Sequence, residues 1–153
     1  MNVTIRKATR NDVDPIVRLI NDGGPEGRPR KKLPDALPSG YYEAFERISS
    51  DPKQHLMVVE YEGEVVGTFH MTFLTHLECA GQEDCQVEAV HVNSRFRSQG
   101  VGSLMMQWVI AQARIRSCRR VQLTSNKLRK DAHRFYQRLG FVLSHEGAKL
   151  PLN

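Results

Sequence analysis

The stretch that decides the fold is Val90-His91-Val92-Asn93-Ser94-Arg95-Phe96-Arg97-Ser98-Gln99-Gly100-Val101-Gly102-Ser103. An extended apolar run ends at Val92, a short polar turn follows, and two glycines open a helix. A turn of this kind presents consecutive backbone N–H groups at the positive end of a helix, where a phosphate or pyrophosphate is stabilised. Gly100 and Gly102 carry no Cβ, so an anion can approach the main chain. Many such turns bind nothing, and the glycine pair alone does not name a ligand. The run lacks the Lys-Ser/Thr pair of a P-loop and is not a full GxGxxG dinucleotide fingerprint.

Outward from this turn, the periodicities alternate between strand and helix. Upstream, Val3–Ala8 alternates as a strand, and Thr9-Arg10-Asn11-Asp12 resembles a capping box with Asp in place of Glu. Val13, Ile16, Val17 and Ile20 then follow at helical spacing, until Asp22-Gly23-Gly24-Pro25 stops the helix. Gly23, Gly24, Pro25, Gly27, Pro29, Pro34 and Pro38 make residues 22–39 a long loop. Tyr41 to Ser50 reads as a second short helix with Tyr42, Phe45 and Ile48 inward. Leu56–Tyr61 and Val65–Leu74 read as strands of a hairpin turned at Glu62-Gly63-Glu64, and Val87–Val92 as another strand. Downstream, Leu104 to Ile115 is a helix with Leu104, Trp108, Ala111 and Ile115 on one stripe, and Arg120–Thr124 returns to strand. Asp131 is the expected cap of a helix carrying Ala132, Phe135, Tyr136 and Leu139, with Gly140 at its C-terminal turn. Phe141–Ser144 and Ala148–Leu152 close the chain as short strands. This order predicts one α+β domain over residues 1–153, an α/β/α sandwich whose mixed, mostly antiparallel sheet carries a central βαβ unit.

Composition narrows the function classes. The chain of 153 residues is 40% hydrophobic, enough for a core without metals or disulfides. No apolar run reaches the roughly 18 residues of a membrane helix. Met1–Arg6 holds no apolar leader core, and three cysteines cannot all pair, so the expected compartment is the cytoplasm. The net charge of +5 is unevenly spread: Gln54 to Ser94 contains no Lys or Arg but seven acids, leaving +12 for the remainder. The basic residues lack aromatic interleaving or a binding motif, and no nucleic-acid or membrane partner is expected. His70, His76 and Glu78 share parity on an extended segment but lack a fourth ligand, so no metal site is expected.

Two motifs resemble one known family. Arg97-Ser98-Gln99-Gly100-Val101-Gly102 is similar to the [Gln/Arg]-x-x-Gly-x-[Gly/Ala] signature of the GCN5-related N-acetyltransferases (GNAT). Ala132-His133-Arg134-Phe135-Tyr136-Gln137-Arg138-Leu139-Gly140-Phe141 looks like the family's A-x-x-F-Y-x-x-x-G-F segment. The resemblance covers nearly the whole chain and implies the acyl-CoA N-acyltransferase fold, with acetyl-CoA as cosubstrate and a primary amine as acceptor. It implies that the pyrophosphate lies on the N–H groups of Arg97, Ser98, Gln99, Gly100, Val101, Gly102 and Ser103. The pantetheine arm would pair with Val90 and Val92, and Asn126 would contact the same cosubstrate. Ser125 and Asn126 serve equally well as turn formers. Dimers are frequent in the family, so a homodimer is compatible with it.

The implied reaction needs a base for the ammonium and a proton for the departing thiolate, but no covalent nucleophile. Tyr136 falls on the family's general-acid position, although its helical stripe also suits a core tyrosine. Glu88 is the candidate base, read as sharing a strand face with Val90 and Val92, or else a surface carboxylate. Other family members place the carboxylate one step earlier, where this chain has Gln86. The C-terminal part is similar to aminoalkylphosphonate N-acetyltransferases. The acceptor expected is a small-molecule amine, whose choice lies in residues 22–39. Arg28, Arg30, Lys31 and Lys32 there suit an anionic group or form a solvated loop. The alternatives are a protein or peptide N-acetyltransferase and a non-catalytic acyl-CoA sensor.

Overall fold

Thr9 and Asp12 close the capping box that the sequence announces: the Thr9 N–H donates to Asp12 Oδ2 at 2.7 Å. In this computed structural model, which describes residues 1–24 and 28–153, the box sits between β1 (Thr4–Lys7) and α1 (Val13–Asp22). Asp12 is buried, and Arg6 grips it with two hydrogen bonds of 2.7 and 3.0 Å while also bonding Glu60 at 2.8 Å. Arg6 therefore links the start of α1 to the sheet and holds the Asp12 carboxyl below its ordinary range.

The chain forms two compact units, Met1–Gln122 and Leu123–Asn153. In the first, α2 (Ser39–Ser50) follows α1, and a meander of β2 (Gln54–Tyr61), β3 (Glu64–Thr75) and β4 (Glu83–Val92) comes next. Glu62 and Gly63 both take positive φ, 49° and 78°, as a two-residue hairpin turn requires. After β4 come α3 (Val101–Ile115) and β5 (Arg120–Leu123), and the sheet order is β1-β2-β3-β4-β5. The three pairings from β1 to β4 are antiparallel. Opposite faces of the sheet receive different helices. Phe69 meets Trp108 of α3 edge-on at 5.7 Å, whereas His91 lies against Gly23 at the end of α1 on the other face. The core consists of sheet residues such as Val58, Phe69 and Val87 with Met105, Met106 and Val109 of α3 and Ile16 of α1.

Some expectations are corrected. In α3 the buried set is Val101, Met105, Met106, Val109 and Ala113, while Leu104 is 41% and Ile115 77% exposed. The helix is apolar around much of its circumference, so periodicity left its inner face ambiguous and the sheet selects it. Among the described residues, 141–153 form no strand, against the expectation for Phe141–Ser144 and Ala148–Leu152. Local turns use their donors instead: the Phe141 N–H bonds Tyr136 O and the Ser144 N–H bonds Val142 O. Pro151 offers no donor at all.

The near end of β4 is an ionic knot. Asp84 is fully buried and receives Arg119 at 3.0 and 3.1 Å and Arg120 at 3.1 Å. Beside it, Glu83 is held by Arg116 and Lys53, which bring its carboxyl down to about 2. A carboxylate favoured by folding adds stability above its unfolded value, near 4.5, and that contribution is lost as pH falls toward 2. Glu83→Gln is therefore expected to lower Tm at neutral pH and to flatten the fall of Tm across this acid window. Thermal circular dichroism at stepped pH checks this, and an unchanged slope would place the acid sensitivity elsewhere.

Candidate active site

The geometry of the site starts from an irregularity in β4. Glu88 stands opposite His70 of β3, but His91 stands opposite Thr68, so Ala89 and Val90 together face Phe69. This is a β-bulge, and Ala89 takes the positive φ of 51° that it demands. The bulge shifts the alternation, which corrects the expectation that Glu88 shares its face with Val90 and Val92. Val92 pairs with Gly67, on the Phe69 side, while His91 continues the face of Glu88.

Glu88 is exposed at this bulge. Of the seven acids in the Lys- and Arg-free stretch, Glu60, Glu64, Glu78, Glu83 and Asp84 form ion pairs. Of these seven acids, Glu62, in the hairpin turn, and Glu88 have no ion pair among the described residues. Gln86, one step earlier on the same face, is engaged: the Gln122 side-chain amide donates to its Oε1 at 2.8 Å. His70 is largely withdrawn from solvent, and its Nε2 is buried without a hydrogen-bond partner. Burial lowers the proton affinity of its imidazole, and the nearby Glu88 charge raises it.

Beyond β4 the predicted anion turn takes shape. The Asn93 side chain accepts from the Arg95 N–H at 3.0 Å, and Arg97 Nε donates to Val92 O at 3.0 Å. Gln99 Nε2 donates to Arg95 O at 2.9 Å, so the Arg97 and Gln99 side chains brace the turn. Ser98 and Gly100 take φ of 60° and 85°, and the Leu104 N–H bonds Gly100 O. The N–H groups of Val101, Gly102 and Ser103 precede that first helical bond, as the donors of a helix start do. Nothing lies within 4 Å of the point where a Cβ at Gly100 would stand. β5, with four residues against ten in β4, flanks only the beginning of that strand, where Arg119 N–H meets Glu83 O. Val90 and Val92 lie in the other half.

The loop after α1 is tied down where it is described; Pro25, Glu26 and Gly27, which fall inside the predicted loop, lie outside the described residues. The buried Asn21 carboxamide bonds Lys31 O at 2.8 Å and the Lys31 N–H at 3.1 Å. Arg18 reaches Pro34 O and Asp35 O, both at 2.9 Å. Between helix and loop opens a cavity of about 350 Å³ lined by Arg18, Asn21, Asp22, Lys31 and Lys32, among others.

In the second unit, α4 (Lys130–Arg138) begins one residue before the expected cap Asp131, whose carboxylate instead pairs with Arg134. Tyr136 packs edge-on against Phe135 at 5.0 Å and Phe141 at 5.7 Å. Burial raises its phenol above the ordinary range, so it is protonated at neutral pH. Gly140 takes a φ of 97° as it ends the helix. Asn126 is used as a turn former, its Oδ1 accepting the Leu128 N–H at 2.9 Å.

Residues 17–141 match the acetyltransferase (GNAT) family. The chain belongs to that family. It is an acetyl-transferring enzyme, and acetyl-CoA is the acetyl donor usual among GNAT proteins. It is 31% identical over 145 residues to an aminoalkylphosphonate N-acetyltransferase of Salmonella typhimurium, covering 92% of this chain and 86% of that one. A crystal structure described as a transcriptional regulator from Bacillus halodurans superposes with a TM-score of 0.91 at 38% identity, covering 99% and 100% of the two chains. The glucosamine-6-phosphate N-acetyltransferase of Arabidopsis thaliana shares the fold, with a TM-score of 0.80 at 18% identity over the whole of both chains.

Three features of the candidate site have no signal in the sequence. The bulge falls on an alanine, which gives no glycine signal. His70 was weighed only as a metal ligand, whereas His76 stands 3.3 Å from Asp84 and Glu78 pairs with Arg119. His91 against Gly23 has no signature at all. For the turn, Gly100→Ala is expected to cost roughly 1–2 kcal/mol of stability, from its left-handed backbone alone. Chemical denaturation measures this, and a loss well beyond that range would mean that a neighbour closes on the residue.

Proposed function

We propose that the chain transfers the acetyl group of acetyl-CoA to a primary amine of a small molecule, by direct attack in a ternary complex, and that residues 1–153 make one such domain. The observation that carries this reading is the Arg97–Ser103 turn, with its left-handed Ser98 and Gly100 and helix-start donors. That cradle suits a pyrophosphate, because several N–H dipoles converge on one anion without a Cβ at Gly100. Val90 and Val92 offer main-chain partners to the pantetheine amides along the half of β4 that β5 does not flank.

In the reaction, the acceptor ammonium gives up a proton to Glu88, directly or through water. The freed nitrogen attacks the thioester carbonyl carbon. A C–N bond forms, the C–S bond breaks, and the electron pair leaves on sulfur, which takes the Tyr136 phenol proton. A phenol kept protonated by burial suits that role. Lys31 and Lys32 at the loop cavity favour an acceptor that also carries an anionic group. The aminoalkylphosphonate substrate class in the relative's name supports the same reading.

Tyr136→Phe is expected to lower turnover about 100-fold while acetyl-CoA affinity stays nearly unchanged. Equal turnover across the pH range would remove Tyr136 from the chemistry. Gly100→Glu should abolish acetyl-CoA binding in a calorimetric titration, through bulk and charge, and persistent binding would overturn the cradle. A panel of amino acids, polyamines, aminoglycosides, aminoalkylphosphonates and peptide N-termini, read by release of free thiol, identifies the acceptor. A silent panel with tight acetyl-CoA binding would replace the enzyme reading with that of a sensor.

A further inference from the structure

We infer that His70 is the positioning residue of Glu88, the half-buried imidazole and the carboxylate sharing the proton removed from the acceptor amine. The inference rests on the proposed role of Glu88 as base. Three observations carry it independently of the motifs. The β3–β4 register sets the two residues directly opposite each other, where Cβ atoms stand about 4.5–5.5 Å apart on one face. His70 Nε2 is buried without a hydrogen-bond partner, a cost that a folded protein rarely bears without a use for the atom. Glu88 is left without an ion pair while five of the seven acids in its Lys- and Arg-free stretch are paired, and it is the last residue in register before the bulge.

The chemistry explains why a partner is needed. A carboxylate is a far weaker base than an alkylamine, so one carboxylate alone is a poor acceptor for that proton. A neutral imidazole beside it gives the proton a second place to rest. In the balance, the ammonium becomes a neutral amine and the pair passes from a charge of −1 to 0. The proton is held on the carboxylate or, with the carboxylate ionised, on the imidazole, and it passes to water after product leaves. The apparent titration then belongs to the pair rather than to either group.

The other groups around His70 do not supply this partner. From β2 it faces the apolar Leu56, while His55, next along that strand, pairs with Met71 and packs on Phe73 of the other face. From β4 the face presents Glu88, Gln86 and His91. The helices packed on this side turn inward the apolar Ile16 and Phe45. Glu88 is thus the carboxylate that the register sets against His70.

Two measurements test the pairing. In the full chain, the His70 ring nitrogens are followed by ¹⁵N NMR against pH, assigned by the signal lost in His70→Gln. Glu88→Gln is expected to move the His70 titration to lower pH, because the charge that favours its protonated form is gone. An unmoved titration overturns the inference and leaves the role of Glu88 as base intact. In the second measurement, kcat/KM for an accepted amine is recorded against pH for His70→Gln, His70→Leu, Glu88→Gln and the double variant, each checked for native circular dichroism. Both His70 variants are expected to lose about tenfold and to shift the acid limb down by about one pH unit, since neither side chain titrates. The double variant should be no slower than Glu88→Gln alone. Losses that multiply, or an acid limb unmoved in both His70 variants, overturn the inference. Full activity of Glu88→Gln would instead remove the proposed base, and the inference with it.

Discussion

The bulge at Ala89 is the constraint on which the geometry of the candidate site depends. One extra residue in β4 reverses the pleat between Glu88 and His91. Without it, His91 would turn toward the α3 core and Val92 toward α1. With it, polar side chains gather on the α1 face while Val92 continues onto the apolar side. The turn that follows is braced to the end of the same strand through Arg97 and Asn93. A single left-handed alanine thereby sets which side chains of the second half of β4 face α1.

Charge is arranged with comparable economy. The acidic middle of the sequence holds no Lys or Arg of its own from Gln54 to Ser94, yet most of its carboxylates pair with cations from elsewhere in the chain. Arg6, Lys53, Arg95, Arg116 and Arg120 each meet one of them, and Arg119 meets two. What distinguishes Glu88 is therefore its freedom from such pairing, together with a half-buried imidazole opposite whose Nε2 has no partner. Partly exposed pairs of this kind each contribute little, but Asp84, without solvent on its side chain, needs its arginines.

Much of the fold was legible in the sequence, and the reasons are local. The Thr9–Asp12 box, the Glu62-Gly63 turn and the Gly100 helix entry are backbone devices whose residue types follow from sterics and hydrogen bonding within a few positions. The order of elements followed from periodicity, and the family from two motifs spaced along the chain. What escaped depends on partners distant in sequence. The inner face of α3 was chosen by the sheet, and the Glu88 face by a register shift that no glycine marks. The closing strands failed because Phe141 and Ser144 spend their N–H groups on nearby carbonyls. Glu88 was read on the face of Val90 and Val92, which the bulge reverses, and without His70 opposite it.

The Asp84 knot also orders events in time. Its counter-ions lie 35 and 36 residues further along the chain. During synthesis, β2, β3 and β4 are complete as sequence while the anion at the base of β4 still lacks Arg119 and Arg120. Burying it at that stage would leave an uncompensated charge, so this end of the strand stays hydrated until α3 and the start of β5 have been made. Closure of the β4–α3–β5 segment is thereby tied to the emergence of one short basic pair.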